Sequence, residues 1–502
     1  MDGRSRRSFL KASAGLAGAA ALAPAVAGAQ GPLTRQDADL RDRLERQARD
    51  PRGRILIKNA TIISMDPNVG DLAKGDLLIE GRKIVEVRPT ITASAQVVDA
   101  TGTIMIPGFV DTHRHCSSNT WNIAGLSQLP FAAPPSPRHR LADMPKTPPS
   151  PRGPGNLDLQ PDDIYAATLV SALTCAKSGV SCVADLAGNA RTPEHADAAV
   201  QAWIDSGVRA VYGSGGATSV STDRPYEDLV RLQKKYFSSA DQLLTLCLNT
   251  NIRQPDDQII ARIQFARQHG LRLSIDGADW PEQGDTIVRL QKHLGPDITF
   301  IHCNDIGEAA WKTLAAVGAT VSLAAFSEPL IGIATSVPPI QNALDVGIRP
   351  SLSSDVFQFS DFFTIMRMAL CFQRSEAFAS WYAGKPNPPA PVTMRDVLDF
   401  ATVQGAKANG LLSTYGTLTP GKEADLLLIR QDEVNTVTPG NALATVLQAA
   451  DTSNLDTVFV AGKLRKFRGQ LVGADARKAA RAFQQSRERM FAKAGYTLDV
   501  LR

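Results

Sequence analysis

Several residue types on which small or specialised proteins depend are scarce in this 502-residue chain. Aromatic residues make up 6%, and there are only six cysteines and seven histidines. The cysteines (Cys116, Cys175, Cys182, Cys247, Cys303 and Cys371) form no CxxC pair, which excludes zinc-finger and thioredoxin-type readings. A large core needs no disulfide, so free buried thiols are expected. Beyond the N-terminal segment no apolar run is long enough to cross a bilayer. A strong net charge is also missing. The formal charge is +4, of which Arg4, Arg6, Arg7 and Lys11 against Asp2 supply +3. The near-neutral remainder offers no electrostatic case for nucleic acid or an anionic membrane as partner. What is present, 43% hydrophobic and 21% charged residues, suits a globular enzyme with a large core and excludes collagen, coiled-coil and disordered chains.

Residues 1–29 read as an address. Ser5-Arg6-Arg7-Ser8-Phe9-Leu10-Lys11 precedes an Ala- and Gly-rich run from Ala12 to Ala23, and Ala27-Gly28-Ala29 offers small residues for cleavage before Gln30. The layout resembles a twin-arginine signal peptide. That resemblance implies export in the folded state by the twin-arginine machinery, and a periplasmic or secreted mature protein without a membrane span.

Residues 30–53 are charged and read as a linker or short helix. Over 54–106 short β-type runs (Ile55-Leu56-Ile57, Thr61-Ile62-Ile63, Leu77-Leu78-Ile79, Ile84-Val85) alternate with turn signals at Gly75-Asp76 and Gly81-Arg82, predicting half of a small β-sandwich. Over 107–410 the rhythm changes. Eight apolar runs (Ile104–Thr112, Ser181–Leu186, Arg209–Tyr212, Leu243–Leu248, Leu271–Ile275, Ile298–His302, Thr320–Ala324 and Pro350–Ser353) alternate with helical patterns such as Pro161–Lys177, Asp256–Gln268 and Ile306–Val317. Strand and helix in eightfold alternation predict a parallel barrel. Residues 411–470 return to short strands (Ala424–Ile429, Thr457–Val460) that complete the sandwich, and 471–502 hold a terminal helix. The expected fold is thus α/β: a distorted (β/α)8 barrel plus a small sandwich built from both ends of the chain. A Pro-rich stretch, 127–155, follows the first barrel strand and reads as a lid or as a surface loop.

Two of the seven histidines fall in Asp111-Thr112-His113-Arg114-His115, at the end of the first barrel strand. Strand positions two apart share a face, so both imidazoles can address one divalent metal in the barrel mouth; two hydrogen-bonded strand histidines are the plainer alternative. His139 and His195 read as surface residues.

The motif Pro107-Gly108-Phe109-Val110-Asp111-Thr112-His113-Arg114-His115 resembles the opening motif of the amidohydrolase superfamily. Gly416-Thr417-Leu418-Thr419-Pro420-Gly421-Lys422-Glu423-Ala424-Asp425-Leu426 resembles its closing motif, and Ala401-Thr402 with Gly405-Ala406-Lys407-Ala408 the helix before it. The similarity is to the branch of triazine hydrolases and cytosine or guanine deaminases. It implies a metal-activated water attacking an electrophilic carbon of a small cyclic molecule, at a non-peptide C–N bond or a C–Cl bond. It implies His113 and His115 as metal ligands, Asp355 as ligand and base, and His302 as a group that polarises substrate or orients water and in some members ligates. Strand five departs from the family's His-x-x-Glu: Asp276 takes the place of the ligand and Asp279 that of the proton-shuttling acid. An aspartate can bind zinc, so Zn2+ is expected; its added negative charge makes a bound hydroxide less acidic and leaves Mn2+ or Fe2+ as alternatives. Glu328, after strand seven, reads as a substrate-amine ligand or a solvated carboxylate. Trp121, Phe357 and Phe359 read as ring-stacking or lid-packing groups. A lyase or isomerase on the same metal, and a binding protein with a decayed site, are the other function classes. A homo-oligomer is compatible with the sequence.

Overall fold

The computed structural model describes residues 33–118, 159–214, 226–239, 242–331, 337–356, 361–437 and 440–493. The N-terminal address, Trp121, the Pro-rich stretch, His139, Phe357 and Phe359 lie outside them.

The charged segment after the address is a helix, Arg35–Arg49, capped by Thr34, whose hydroxyl accepts the Asp37 N–H (3.1 Å). Strands β1 (Arg54–Ile63), β2 (Asp71–Glu80), β3 (Lys83–Arg88), β4 (Gln96–Asp99) and β5 (Thr103–Pro107) follow. The next eight are β6 (Phe109–Arg114), β7 (Val180–Leu186), β8 (Arg209–Ser214), β9 (Leu244–Asn251), β10 (Arg272–Asp276), β11 (Ile298–Ile301), β12 (Thr320–Leu323) and β13 (Ser351–Leu352). The chain closes with β14 (Leu426–Arg430), β15 (Leu455–Val460), β16 (Lys463–Phe467), β17 (Gln470–Leu471) and the helix Ala476–Lys493.

The predicted sandwich is a nine-stranded sheet in the order β17-β16-β15-β14-β5-β1-β2-β3, with β4 beside β1. Its two sequence halves meet where β5 pairs antiparallel with β14, Ile106 opposite Leu427. Ile57, Ile62, Met105, Leu426, Leu428 and Phe459 fill its core. The second sheet is the barrel, β6 to β13 in chain order and all parallel. It approaches closure through Asp355, whose N–H donates to the His113 carbonyl (2.9 Å) and whose carbonyl accepts the His115 N–H (3.3 Å).

The first barrel strand is shorter than expected. The apolar run Ile104–Thr112 is two strands, because the chain changes partner at Gly108. The Gly108 N–H donates to the Asp425 carbonyl (3.0 Å) in the sandwich, and the next N–H, of Phe109, to the Gly179 carbonyl (3.0 Å) before β7. A Cβ at Gly108 would lie 2.3 Å from Ser181 Oγ, so only glycine allows the crossing.

Helices coat the barrel. Phe109 stacks on Phe362 (centroids 5.7 Å apart) and meets Phe363 edge-on (5.3 Å). The lower end is plugged from outside the ring. Ala406 and Tyr415 pack against Val110, Cys182, Ala184, Val211 and Cys247. Gly405 permits the approach, since a Cβ there would lie 2.6 Å from Val110 Cβ. The terminal helix lays Phe483 against Ala166 and Ala167 of the helix Pro161–Lys177. Among the described residues the cysteines are free; five are buried as expected, and Cys371 is exposed. No described helix is long and apolar enough to cross a membrane.

Candidate metal centre

The site begins with a register change. β6 pairs Asp111 with Val183 and Arg114 with Asp185, three steps on one strand against two on the other. Below this bulge Val110 joins the plug. Thr112 Oγ1 reaches across the interior to Ser322 Oγ (2.7 Å), Ser351 Oγ (3.0 Å) and the Leu352 carbonyl (2.9 Å). Simple alternation would then turn His113 outward; the extra residue inverts the phase, so His113 and His115 face the mouth. Arg114 turns into the wall, donating from Nη1 to Ser354 Oγ (2.6 Å). Ser354 in turn donates its N–H and hydroxyl to the Asp111 carboxylate (3.0 and 2.5 Å). Asp111 and Arg114 thus anchor the residue just before Asp355.

Five side chains converge above the bulge: His113, His115 and Asp355 form one ligand-capable trio, and His113, Asp276 and His302 another. His113 Nε2 lies 3.0 Å from Asp355 Oδ1, His115 Nε2 3.6 Å from the same oxygen, and His302 Nε2 3.5 Å from Asp276 Oδ1. Two atoms each about 2.0–2.2 Å from one zinc ion stand about 3–3.6 Å apart, so these spacings suit a shared metal. His115 Nδ1 lies 3.1 Å from the Leu186 carbonyl, which can only accept; that nitrogen carries the proton and Nε2 is left with its lone pair toward the centre. All five side chains are buried. The donor set fits a divalent cation.

Electrostatics agree. Burial alone would raise the Asp355 carboxyl, but the His113 hydrogen bond and the electrostatic pull of the neighbouring imidazoles hold it well below the usual carboxylate range. Burial disfavours charge on His302, yet the Glu328 acceptor and the Asp279, Asp355 and Glu328 charges raise it well above the usual imidazole range. The surrounding carboxylates thus favour positive charge at His302, a role a bound metal takes over. Burial also raises Asp279, with His302 and Arg253 pulling it down and Asp276 and Glu328 pushing it up. Asp279 Oδ2 accepts from Arg253 Nη2 (2.8 Å), while Oδ1 is buried without a hydrogen-bond partner among the described residues.

The metal-site residues expected from sequence are therefore brought together, with Asp279 beside them. Trp121 and Phe357 lie outside the described residues. Two expectations need correction. Glu328 is not a solvent-facing loop carboxylate open to a substrate amine. It is fully buried, and its Oε1 lies 2.9 Å from His302 Nδ1 and accepts the Ala324 N–H (2.9 Å). His195 is not on the surface: it is buried, with Nε2 2.9 Å from the Leu159 carbonyl. Sequence reasoning missed Ser327, which donates to Asp355 Oδ2 (3.1 Å), and Arg253. Only adjacency to Glu328 marked Ser327; nothing in the pattern marked Arg253.

Fold and site together define a metal-dependent hydrolase on a (β/α)8 barrel. A family model described as amidohydrolase family matches residues 104–465, and the chain belongs to that family. Among its relatives is a 5'-deoxyadenosine deaminase of Methanosarcina mazei, 25% identical over 459 residues that cover 88% of this chain and 99% of that protein. A 5-methylthioadenosine/S-adenosylhomocysteine deaminase of Moorella thermoacetica is 26% identical over 444 residues, covering 84% and 96%. Solved structures share the fold. An adenosine deaminase from Xanthomonas campestris with bound zinc superposes with a TM-score of 0.71 at 17% identity, covering 87% of this chain and 98% of the other. A mutant atrazine chlorohydrolase from Arthrobacter aurescens TC1, complexed with zinc and atraton, gives 0.72 at 19%, covering 86% and 100%.

Proposed function

We propose that the chain is a zinc-dependent deaminase of small nitrogen heterocycles, replacing an exocyclic amino group by oxygen and releasing ammonia. The observation that carries this is the convergence of His113, His115, Asp276, His302 and Asp355 in one buried mouth; the deaminases among its relatives support the choice of bond. When bound, the metal supplies Lewis acidity that makes an attacking water available at neutral pH.

The chain's own groups manage the protons. Asp355, held anionic, accepts one proton of the water and passes it to the departing amine. Asp279, whose carboxyl is raised by burial, gives its own proton to the ring nitrogen next to the reacting carbon and recovers the water's second proton as the new hydroxyl becomes a carbonyl. Water's oxygen thereby becomes a ring carbonyl, the C–N bond breaks, and ammonia leaves. Arg253 orients Asp279 by holding Oδ2. The test is ammonia release from adenosine-type nucleosides and amino-triazines, with enzyme stripped of metal and then reloaded with zinc. Zinc-dependent release from any of them supports the reading. A fully metallated enzyme that releases no ammonia and instead isomerises or eliminates would overturn it.

Export through the twin-arginine route is part of the same proposal and rests on Ser5–Lys11 and the small residues before Gln30. Residues 1–29 fused to a reporter should direct it out of the cytoplasm. Substituting lysines for Arg6 and Arg7 should retain it there; export that ignores both changes would refute the route.

A further inference from the structure

Strand β12 contributes no ligand, yet the turn after it touches two of them. We infer that the Ser327-Glu328 pair is the positioning device of the metal centre, with Glu328 setting the tautomer of His302. The inference rests on the metal site and not on the choice of substrate.

Glu328 is the second residue of the short helix Ser327–Ile331, and its side chain folds back on its own turn. Its N–H donates to the Ala324 carbonyl (3.0 Å), and its Oε1 accepts the Ala324 N–H (2.9 Å). That locks the carboxylate in place. The same Oε1 stands 2.9 Å from His302 Nδ1. A carboxylate offers lone pairs and no proton, so Nδ1 carries the hydrogen. Nε2 then points to the Asp276 and His113 side of the site, 3.5 Å from Asp276 Oδ1. His302 needs such a hold because its backbone is left-handed (φ 72°), so the strand pleat no longer directs its ring.

The neighbouring Ser327 reaches the opposite side. Its hydroxyl donates to Asp355 Oδ2 (3.1 Å), leaving Oδ1 toward His113 and His115. Two consecutive side chains thus orient a histidine from after β11 and an aspartate from after β13. A purely structural turn has no need of a fully buried carboxylate, which is costly to desolvate, and Glu328 Oε2 has no hydrogen-bond partner among the described residues.

The test compares zinc-loaded wild type with Glu328→Ala, Glu328→Gln, His302→Ala and the His302→Ala/Glu328→Ala double variant, by zinc affinity in competition with a chelator and by kcat. Loss of the acceptor in Glu328→Ala should weaken zinc and lower kcat about 10–100-fold. Glu328→Gln keeps an oxygen for both N–H donors and should stay within roughly threefold of wild type. Adding Glu328→Ala to His302→Ala should cost nothing more, because the group it positions is gone. Wild-type zinc affinity in Glu328→Ala would overturn the inference, as would Glu328→Gln behaving like alanine or an undiminished effect in the double variant. If the alanine variant does not fold, Glu328→Asp keeps the charge but retracts it by one methylene. It should lose zinc affinity to a similar degree, and unchanged affinity would overturn the inference. The zinc arm needs no substrate, so a failure of the deaminase reading leaves it intact.

Discussion

Strand β7 carries Cys182 at its lower end and Asp185 near its upper end, and the two meet opposite surroundings. Cys182 sits in the plug, touched by the Tyr415 hydroxyl (2.9 Å), and burial pushes its thiol up to about 12, so it stays neutral and inert. Asp185, three residues on, accepts from Trp203 Nε1 (2.9 Å) and the Cys116 N–H (3.1 Å), and burial lifts its carboxyl to about 6. The contrast extends around the ring. The lower end is small and apolar side chains closed by Ala406 and Tyr415. The mouth gathers histidines and carboxylates, keeps oxygens on Asp279 and Glu328 that have no partner among the described residues, and holds His302 and Asp355 in left-handed backbone (φ 72° and 58°). Such strain and unpaired polarity cost stability, of order 1–3 kcal/mol per residue, and persist because the rest of the barrel imposes them. One end holds the barrel together; the other presents chemistry.

The largest break in this comparison should come from Asp355→Ala. Turnover should fall by about a thousandfold or more, as for loss of a general base and ligand together. The melting temperature should stay near that of wild type, because the lower end is untouched. A variant that keeps a tenth of the activity would remove Asp355 from the mechanism.

Tyr415→Ala should do the reverse. Emptying the plug and removing the Tyr415 hydroxyl that accepts from Asn409 Nδ2 (3.2 Å) should cost about 3–5 kcal/mol in denaturant unfolding. Activity per folded molecule should be preserved; a stability loss below 1 kcal/mol would show that the plug carries little of the barrel's stability.

The pH response of Asp185 sharpens the picture. Its folded pKa, about 6, lies above the ordinary 3.8, so the folded state prefers the protonated acid. The stabilising contribution is therefore complete below pH 3.8 and lost as pH rises through about 6. Asp185→Asn should gain on wild type by about 2–3 kcal/mol between pH 4 and 7. Urea midpoints across that range measure it, and a difference that does not change with pH would contradict the assignment.

The smallest effect belongs to Arg253→Met. Arg253 is about 41% exposed and, among the described residues, touches the site through Asp279, so solvent screens the pair. A loss of about tenfold in kcat with little change in KM is expected, since the group it orients acts on protons. A change confined to KM would make Arg253 a substrate-binding residue instead.

Much of this was legible in the amino-acid order. The eightfold alternation of strand and helix, the two halves of the sandwich and the five ligand-type residues all stood at strand ends, where a barrel places its chemistry. Less legible were features that depend on a partner distant in sequence. The run from Ile104 to Val110 carries no polar side chain, so its side-chain pattern does not show that β5 faces the sandwich and β6 the barrel. His195 looked like a surface residue because its acceptor, the Leu159 carbonyl, precedes it by 36 positions. Glu328 looked like a substrate ligand because the turn that folds its carboxylate onto His302 leaves no trace in composition.

The amino-acid order by itself determined which elements form and which side chains can bind a metal or carry a proton, because periodicity and functional-group chemistry are local properties. Tertiary structure alone decided how those groups are aimed. The bulge in β6 turns His113 and His115 to the mouth, the Asp111–Arg114–Ser354 contacts anchor the chain at Asp355, and the turn after β12 sets the ring of His302. Each is a hydrogen bond or register shift between segments that meet only once the barrel closes.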